Sequence, residues 1–311
     1  MRNSNKYLGV IQLGRKERKR FADNEKVREL LEKTNHIEEE IKFIKECYSG
    51  IGGLTRSGWN SGQFFTPTEV AVFTRLMMGI EGGRVLEPSC GGGVFLDVLP
   101  SDCDIHGVEL MAEAARVSEI CYPQASIYQG DTLEMGWDEP FDYVIGNPPY
   151  GLTIDNWEFA CGKKLKSEVA FIEYGLKWLK PGGILGMIIP DSILANQREK
   201  PFRKHILNNN QLLAVVSLPT ETFCHSGTRV KTSLLMIKKG KTDENYSVFM
   251  SICENVGWDN KGNFKKESDL PAIYHEYLNS GISHLKNRRL LDLIESNDSK
   301  VLSGQLALDL S

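Results

Sequence analysis

The residues best placed to do chemistry are Asn147-Pro148-Pro149-Tyr150, at the end of the apolar run Phe141–Ile145. Tyr143, Val144 and Ile145 suit a buried strand. Gly146 lets the backbone leave that strand, and two prolines forbid helix and ladder beyond it. Each proline also biases the residue before it toward an extended conformation. The result is a stiff bracket that presents an amide side chain, a carbonyl outside any ladder and an aromatic ring. Hydrogen-bond acceptors and a stacking surface are thereby fixed at the carboxyl end of a strand, where open α/β sheets bind ligands.

A second set lies upstream. Gly91-Gly92-Gly93 falls between a strand and a helix, where backbone without side chains lets a ligand approach closely. Glu87 ends the strand before this turn, Glu109 ends the next strand and Asp131 follows the third. An acid at the position of Glu109 accepts from paired ribose hydroxyls, and one at Asp131 from the exocyclic amine of an adenine. Carboxylates at successive strand ends make costly neighbours without a ligand that offers donors. The turn reads Glu87-Pro88-Ser89-Cys90-Gly91-Gly92-Gly93, not Gly-x-Gly-x-x-Gly, and lacks the lysine of a phosphate-binding loop. An adenosine cofactor without phosphates fits best, and S-adenosylmethionine is that cofactor.

Together with Gly62-Gln63-Phe64-Phe65-Thr66-Pro67, these motifs resemble an N6-adenine DNA methyltransferase of the gamma order, in which the cofactor motif precedes the catalytic one. Leu179–Ile184 and Phe223–Thr232 are most similar to the modification subunits of type I restriction–modification systems. The resemblance covers about residues 60–260. Glu87 and Gly92 depart conservatively from the Asp and the Ser or Asn often found there. The resemblance implies that Phe65, Thr66, Glu87, Pro88, Ser89, Gly91 and Gly93 serve the cofactor, with Glu109 on the ribose and Asp131 on the adenine. Asn147 also borders the cofactor, and Phe171 lines its adenine pocket. It makes Asn147, Pro148, Pro149 and Tyr150 catalytic. The target amine is a poor nucleophile because its lone pair is delocalised into the ring. Asn147 Oδ1 and the Pro148 carbonyl would accept both amine hydrogens and aim the lone pair at the sulfonium methyl. The base must leave the duplex, with Tyr150 stacked on it and Phe223 expected on its other face. No metal is implied.

The elements that must hold these groups alternate. Strands are predicted at 84–87, 104–109, 126–129, 141–145, 184–189, 212–218 and 232–237, with helices between most of them. That order predicts an α/β fold with a doubly wound, mostly parallel sheet, Rossmann-like in the terms of the resemblance. Thr66 is a plausible N-cap with Pro67 at the first helical position. Val27, Leu30, Thr34, Ile37, Ile41, Ile44 and Tyr48 recur at spacings of three and four, predicting one helix over 24–48. Helices are also expected at 269–279 and 284–296, then a loose tail. The domain reading is an N-terminal basic and helical segment (1–56), a catalytic domain (57–252) and a C-terminal extension (253–311).

Composition limits the partners. Of 311 residues, 41% are hydrophobic and 25% charged, ordinary for a globular protein. A net charge of −4 gives no global pull toward nucleic acid, so DNA contact needs a local basic face or a partner. Arg15–Arg20 is one basic run, readable as a solvated face or a phosphate-contacting arm. Seven cysteines without CxxC spacing suit free thiols in a cytoplasmic protein. No signal peptide or membrane span is read. About twenty residues between Tyr150 and the next helix leave little room for a target-recognition domain of on the order of a hundred residues. DNA specificity is therefore expected from a separate subunit, with a restriction subunit as a further partner. The helix at 24–48 and the C-terminal helices are candidate docking surfaces. Two alternatives stay open: methylation of a protein glutamine amide, against which the Gly62–Pro67 loop argues, and a non-catalytic assembly subunit, against which the intact acid and Asn147–Tyr150 set argues.

Overall fold

Eight strands form one sheet in the order β3-β2-β1-β4-β5-β7-β6-β8. The computed structural model describes residues 15–48, 65–226, 228–241, 246–265 and 267–285. Gly62-Gln63-Phe64, Ser49–Gly53, Gly227, residues 286–296 and the tail at 300–311 lie outside the described residues, as do the side chains of Arg15–Arg20.

In chain order, α1 is Arg15–Leu31, α2 Glu38–Cys47 and α3 Thr68–Met78. The alternating part runs β1 (Gly83–Glu87), α4 (Val94–Val98), β2 (Cys103–Glu109), α5 (Ala112–Cys121), β3 (Ala125–Gln129) and β4 (Phe141–Gly146). It continues with α6 (Ser167–Trp178), β5 (Leu179–Pro190), α7 (Ser192–Ala195), α8 (Lys200–Asn209) and β6 (Asn210–Leu218). β7 (Thr232–Lys239), β8 (Phe249–Ile252) and α9 (Leu270–Asn279) close the described chain. β1 to β5 pair in parallel, β7 is antiparallel to both β5 and β6, and β8 is parallel to β6. The α/β class and the mostly parallel sheet follow the sequence expectation.

One core covers the sheet face beneath α3, α4 and α9, and a second covers the other face beneath α6 and α8. The central parallel strands β4 and β5 are largely buried, which explains their apolar runs, whereas β3 at the sheet edge is mostly exposed. β5 starts earlier than expected. Lys180-Pro181-Gly182-Gly183 belongs to the strand, with a register irregularity against β4 and left-handed Gly182 (φ 82°). Lys180 Nζ pairs with both Asp142 oxygens at 2.8 and 2.9 Å, anchoring this end.

The continuous helix expected over 24–48 is two helices. The His36 ring hydrogen-bonds the Leu30 carbonyl at 2.9 Å and so closes the end of α1. Glu38, Glu39 and Glu40 sit in the first turn of α2, where the helix dipole favours acids. Thr34 and Ile37 are left exposed, Ile37 at 62%, so the apolar seam is broken. Val27, Leu30 and Ile44 enter the first core, and α2 packs on α5. These side chains therefore serve this domain's own packing. The same holds for α9, which packs on α3 with Tyr274 and Tyr277 buried. His284 and Leu285 are not helical. Among the described residues no helix is long and apolar enough to cross a membrane.

Candidate active site at the carboxyl ends of the strands

A cavity of about 490 Å³ opens where β1, β2 and β4 end. Phe65, Thr66, Glu87, Pro88, Ser89, Gly91, Glu109, Asp131, Asn147, Pro149 and Phe171 all border it. Residues from six parts of the chain converge because parallel strands deliver their C-termini to one edge.

The acids differ. Glu87 is 2% exposed, and its Oε2 has no hydrogen-bond partner. Burial pushes its carboxyl well above the usual carboxylate range, and the nearby charge of Glu109 adds to this. Glu109 accepts from the Met111 amide at 2.7 Å and the Gly91 amide at 2.9 Å. Burial raises its pKa, and these backbone donors pull partly against the rise. Asp131 caps the following short 3-10 turn by accepting from the Leu133 amide at 3.0 Å, and its other oxygen accepts from Asn156 Nδ2 at 3.1 Å.

The glycines divide by role. Gly91 (φ 53°) has nothing within 4 Å of where a Cβ would stand, so the turn is open there. Gly93 (φ 88°) does not border the cavity, and a Cβ on it would stand 2.1 Å from the Tyr122 ring. Its need for glycine comes from packing, which corrects its expected place beside a ligand.

At the far wall, Asn147 Nδ2 donates to Thr66 Oγ1 at 3.0 Å, and the Tyr150 hydroxyl donates to Asn147 Oδ1. The same hydroxyl lies 3.1 Å from the Ile188 carbonyl of β5. Ser167 Oγ donates to the Pro149 carbonyl at 2.7 Å, and Ser89 Oγ to the Asn147 carbonyl at 3.3 Å. The turn is thus held from β1, β5 and α6. Pro148 and Tyr150 are buried and do not border the cavity. The expected N-cap is also corrected: α3 begins at Thr68 with Pro67 in the capping position, and the Thr66 hydroxyl serves Asn147 instead.

Phe223, the expected second stacking residue, shares with Tyr150 a position off the cavity wall. It is fully buried in the first core and does not border the cavity. Its neighbour Ser226 carries the local role, donating to the Phe65 carbonyl at 2.8 Å and pinning the segment before α3.

Several cavity residues were not foreseen. Leu110 is 65% exposed immediately after Glu109, and its place at a strand end was the available signal. Tyr48 stands edge-to-face to Phe65 with centroids 6.2 Å apart and covers Gly92. Nothing in its spacing separated it from the helical seam. Ile154 comes from the loop after Tyr150.

The arrangement can take a ligand with an apolar body against lining side chains such as Leu110 and Phe171, hydroxyl or amine donors for Glu109 and Asp131, and a donor for buried Glu87. Among the described residues no group of three or more His, Cys, Asp or Glu side chains could hold a metal.

Comparison with known proteins adds the family. The profile of the N-6 DNA Methylase family matches residues 54–287. The type II methyltransferase M.HincII of Haemophilus influenzae is 28% identical over 233 residues, covering 70% of this chain and 43% of that protein. The type I restriction enzyme EcoEI methylase subunit of Escherichia coli is 25% identical over 256 residues, covering 69% of this chain and 51% of that protein. In fold, the chain is similar to the type I restriction-modification system methyltransferase subunit of Streptococcus thermophilus. The TM-score is 0.57 at 20% identity, covering 72% of this chain and 55% of that one. The chain spans about half the length, or less, of these curated relatives.

Proposed function

The chain belongs to the N-6 DNA Methylase family, and on that footing we propose that it methylates the N6 amine of an adenine extruded from DNA, with S-adenosylmethionine as donor. The observation that carries this is the convergence on one cavity of Asn147 and the three strand-end acids Glu87, Glu109 and Asp131. The cavity fits the donor: an unpartnered buried carboxylate oxygen at Glu87, an open turn at Gly91 and apolar lining at Leu110 and Phe171.

Glu109 takes the ribose hydroxyls, Asp131 the adenine amine, and Thr66, Glu87 and the Gly91 turn the methionine end. Bound there, S-adenosylmethionine supplies a methyl group on a cationic sulfur, an electrophile that needs only an aimed lone pair. Asn147 does the aiming. An amide oxygen has two lone pairs, so Oδ1 can hold the Tyr150 hydroxyl and still accept one hydrogen of the target amine. The Pro148 carbonyl accepts the other. Holding both hydrogens localises the nitrogen lone pair and positions it. Asn147 is no base, so the amine proton leaves to solvent after transfer. Tyr150 positions Asn147 through its hydroxyl, and its ring, buried behind the cavity wall here, stacks on the extruded base once the turn opens to admit it. A separate subunit supplies DNA specificity, and a restriction subunit can join the same complex.

The test is transfer of a labelled methyl group to mixed-sequence duplex DNA, by the chain alone and with co-purified partners, followed by nucleoside digestion. N6-methyladenine lost on Asn147→Ala supports the reading. Another methylated product, or none with cofactor bound, overturns it.

A further inference from the structure

The loop after the catalytic turn is a short hairpin. Thr153 and Lys166 form an isolated antiparallel bridge, and the Leu152 amide donates to Ser167 Oγ at 3.1 Å. Its base is fastened to the catalytic turn by the Ser167 bond to the Pro149 carbonyl and by the Gly151 amide, which donates to Glu168 at 2.8 Å. A second segment, the turn before α8, is tied to it: Arg198 donates to the Lys164 carbonyl at 2.9 Å. Lys166 directly precedes Ser167, so its Cα lies within about 10 Å of the Pro149 carbonyl.

Charge on these segments opposes that of the whole chain. Residues 151–166 and 196–200 carry Lys163, Lys164, Lys166, Arg198 and Lys200 against the exposed acids Asp155 and Glu158, in a chain of net charge −4. Asp155 is engaged by Lys164 at 2.6 Å, and Glu199 is buried. The remaining cations face solvent or bond only neutral groups, as Lys166 does with Thr153 Oγ1 at 3.1 Å.

We propose that the hairpin 151–166 and the turn at Arg198 form a phosphate-binding rim that grips the DNA backbone beside the extruded adenine, with Lys163, Lys166 and Arg198 as its contacts. This rests on the proposed DNA substrate. Fixed to the catalytic turn, the rim converts backbone contact into placement of the target base, since phosphate contacts set register without reading sequence. The basic run at Arg15–Arg20 is not needed for it.

The experiment compares the full chain with its K163Q/K166Q/R198Q variant. Anisotropy of labelled duplex DNA is followed from roughly 50 to 200 mM salt, and S-adenosylmethionine binding by calorimetry. Each lost phosphate contact removes about 0.9 from the slope of log affinity against log salt. A slope smaller by about 2 to 3, DNA affinity down at least about tenfold at low salt and unchanged cofactor affinity are expected. K238Q/K241Q, at the opposite end of the strands, should leave the slope in place, and an equal loss there overturns the rim. Unchanged affinity and slope in the triple variant, with N6-methyladenine still produced, overturn the rim and spare the DNA reading. A wild-type chain with neither DNA affinity nor N6-methyladenine product, both alone and with co-purified partners, overturns both.

Discussion

Asn147 Nδ2 donates to Thr66 Oγ1 at 3.0 Å across 81 residues of chain. The bond joins the turn after β4 to the segment that enters α3, and it holds the amide in place. With Nδ2 committed to Thr66, Oδ1 is left for Tyr150 and for a substrate hydrogen. The segment before α3 and the proposed acceptor Asn147 are therefore one hydrogen-bonded unit.

Coupling of this kind predicts non-additive losses. Asn147→Ala should lower single-turnover methyl transfer by about 10²- to 10³-fold, the scale of losing one oriented polar group. Thr66→Val should lower it by roughly tenfold, because an amide free to turn is misplaced more than it is missing. Thr66→Val added to Asn147→Ala should then change little further. Additive losses in rate would mean that Thr66 acts by another route.

Tyr150 separates positioning from packing. Tyr150→Phe removes the hydroxyl bond to Asn147 and the hydroxyl's approach to the Ile188 carbonyl but keeps the ring, so stability should fall by about 1 kcal/mol. Transfer should slow by about tenfold or less if the second oxygen lone pair of Asn147 still finds the amine. Tyr150→Ala also empties a site only 9% exposed, and about 3–5 kcal/mol of stability should go with it. Denaturant melts beside transfer rates check both. A Phe variant as inactive as the Ala variant would make the hydroxyl itself catalytic.

Much of this site is legible in the chain because the features are local. A strand that ends in Asn147-Pro148-Pro149 must leave the sheet there, whatever surrounds it. Glu87, Glu109 and Asp131 are found by counting strand ends, and the parallel sheet then gathers them without further instruction. What escapes the sequence is settled between distant segments. Phe223 looks available for stacking, but its burial depends on how the 220–226 turn packs on the first core. The seam from Val27 to Tyr48 is periodic enough for one helix, and only the His36 bond to the Leu30 carbonyl shows why it is two. Thr66 looks like a cap until Asn147 is placed beside it.

Gly91 and Gly93 look equivalent in sequence and should fail in different ways. Gly93→Ala drives a methyl toward the Tyr122 ring at a left-handed backbone, so the fold must give. Stability should drop by at least about 2 kcal/mol, with cofactor affinity per folded molecule little changed. Gly91→Ala meets no atom within 4 Å, so its penalty is backbone strain of about 1 kcal/mol. Its methyl enters the space that the cofactor should use, and affinity should fall by tenfold or more. Thermal melts and calorimetric titration distinguish the two. Equal effects on both readouts would remove the division between packing and ligand glycines.

Glu87 gives the pH dependence a sign. Its folded pKa lies above the ordinary carboxylate value because burial disfavours the charge. Between the unfolded and folded pKa values the native state therefore holds more protons than the unfolded one. Stability from this group is complete below the unfolded value and is lost as pH rises through the folded one. The stability that Glu87 contributes should accordingly decline as pH climbs above the ordinary carboxylate range, so the melting temperature of wild type relative to Glu87→Gln, which cannot ionise, should fall with rising pH. A cationic ligand reverses the preference, because the ionised carboxylate then gains a partner. Binding of S-adenosylmethionine should release protons, seen as calorimetric heats that scale with buffer ionisation enthalpy, and affinity should rise with pH over the same range. Glu87→Gln should lose both effects. A wild type that binds cofactor without proton release would mean that Glu87 is already ionised, or that the cationic end of the ligand lies elsewhere in the cavity.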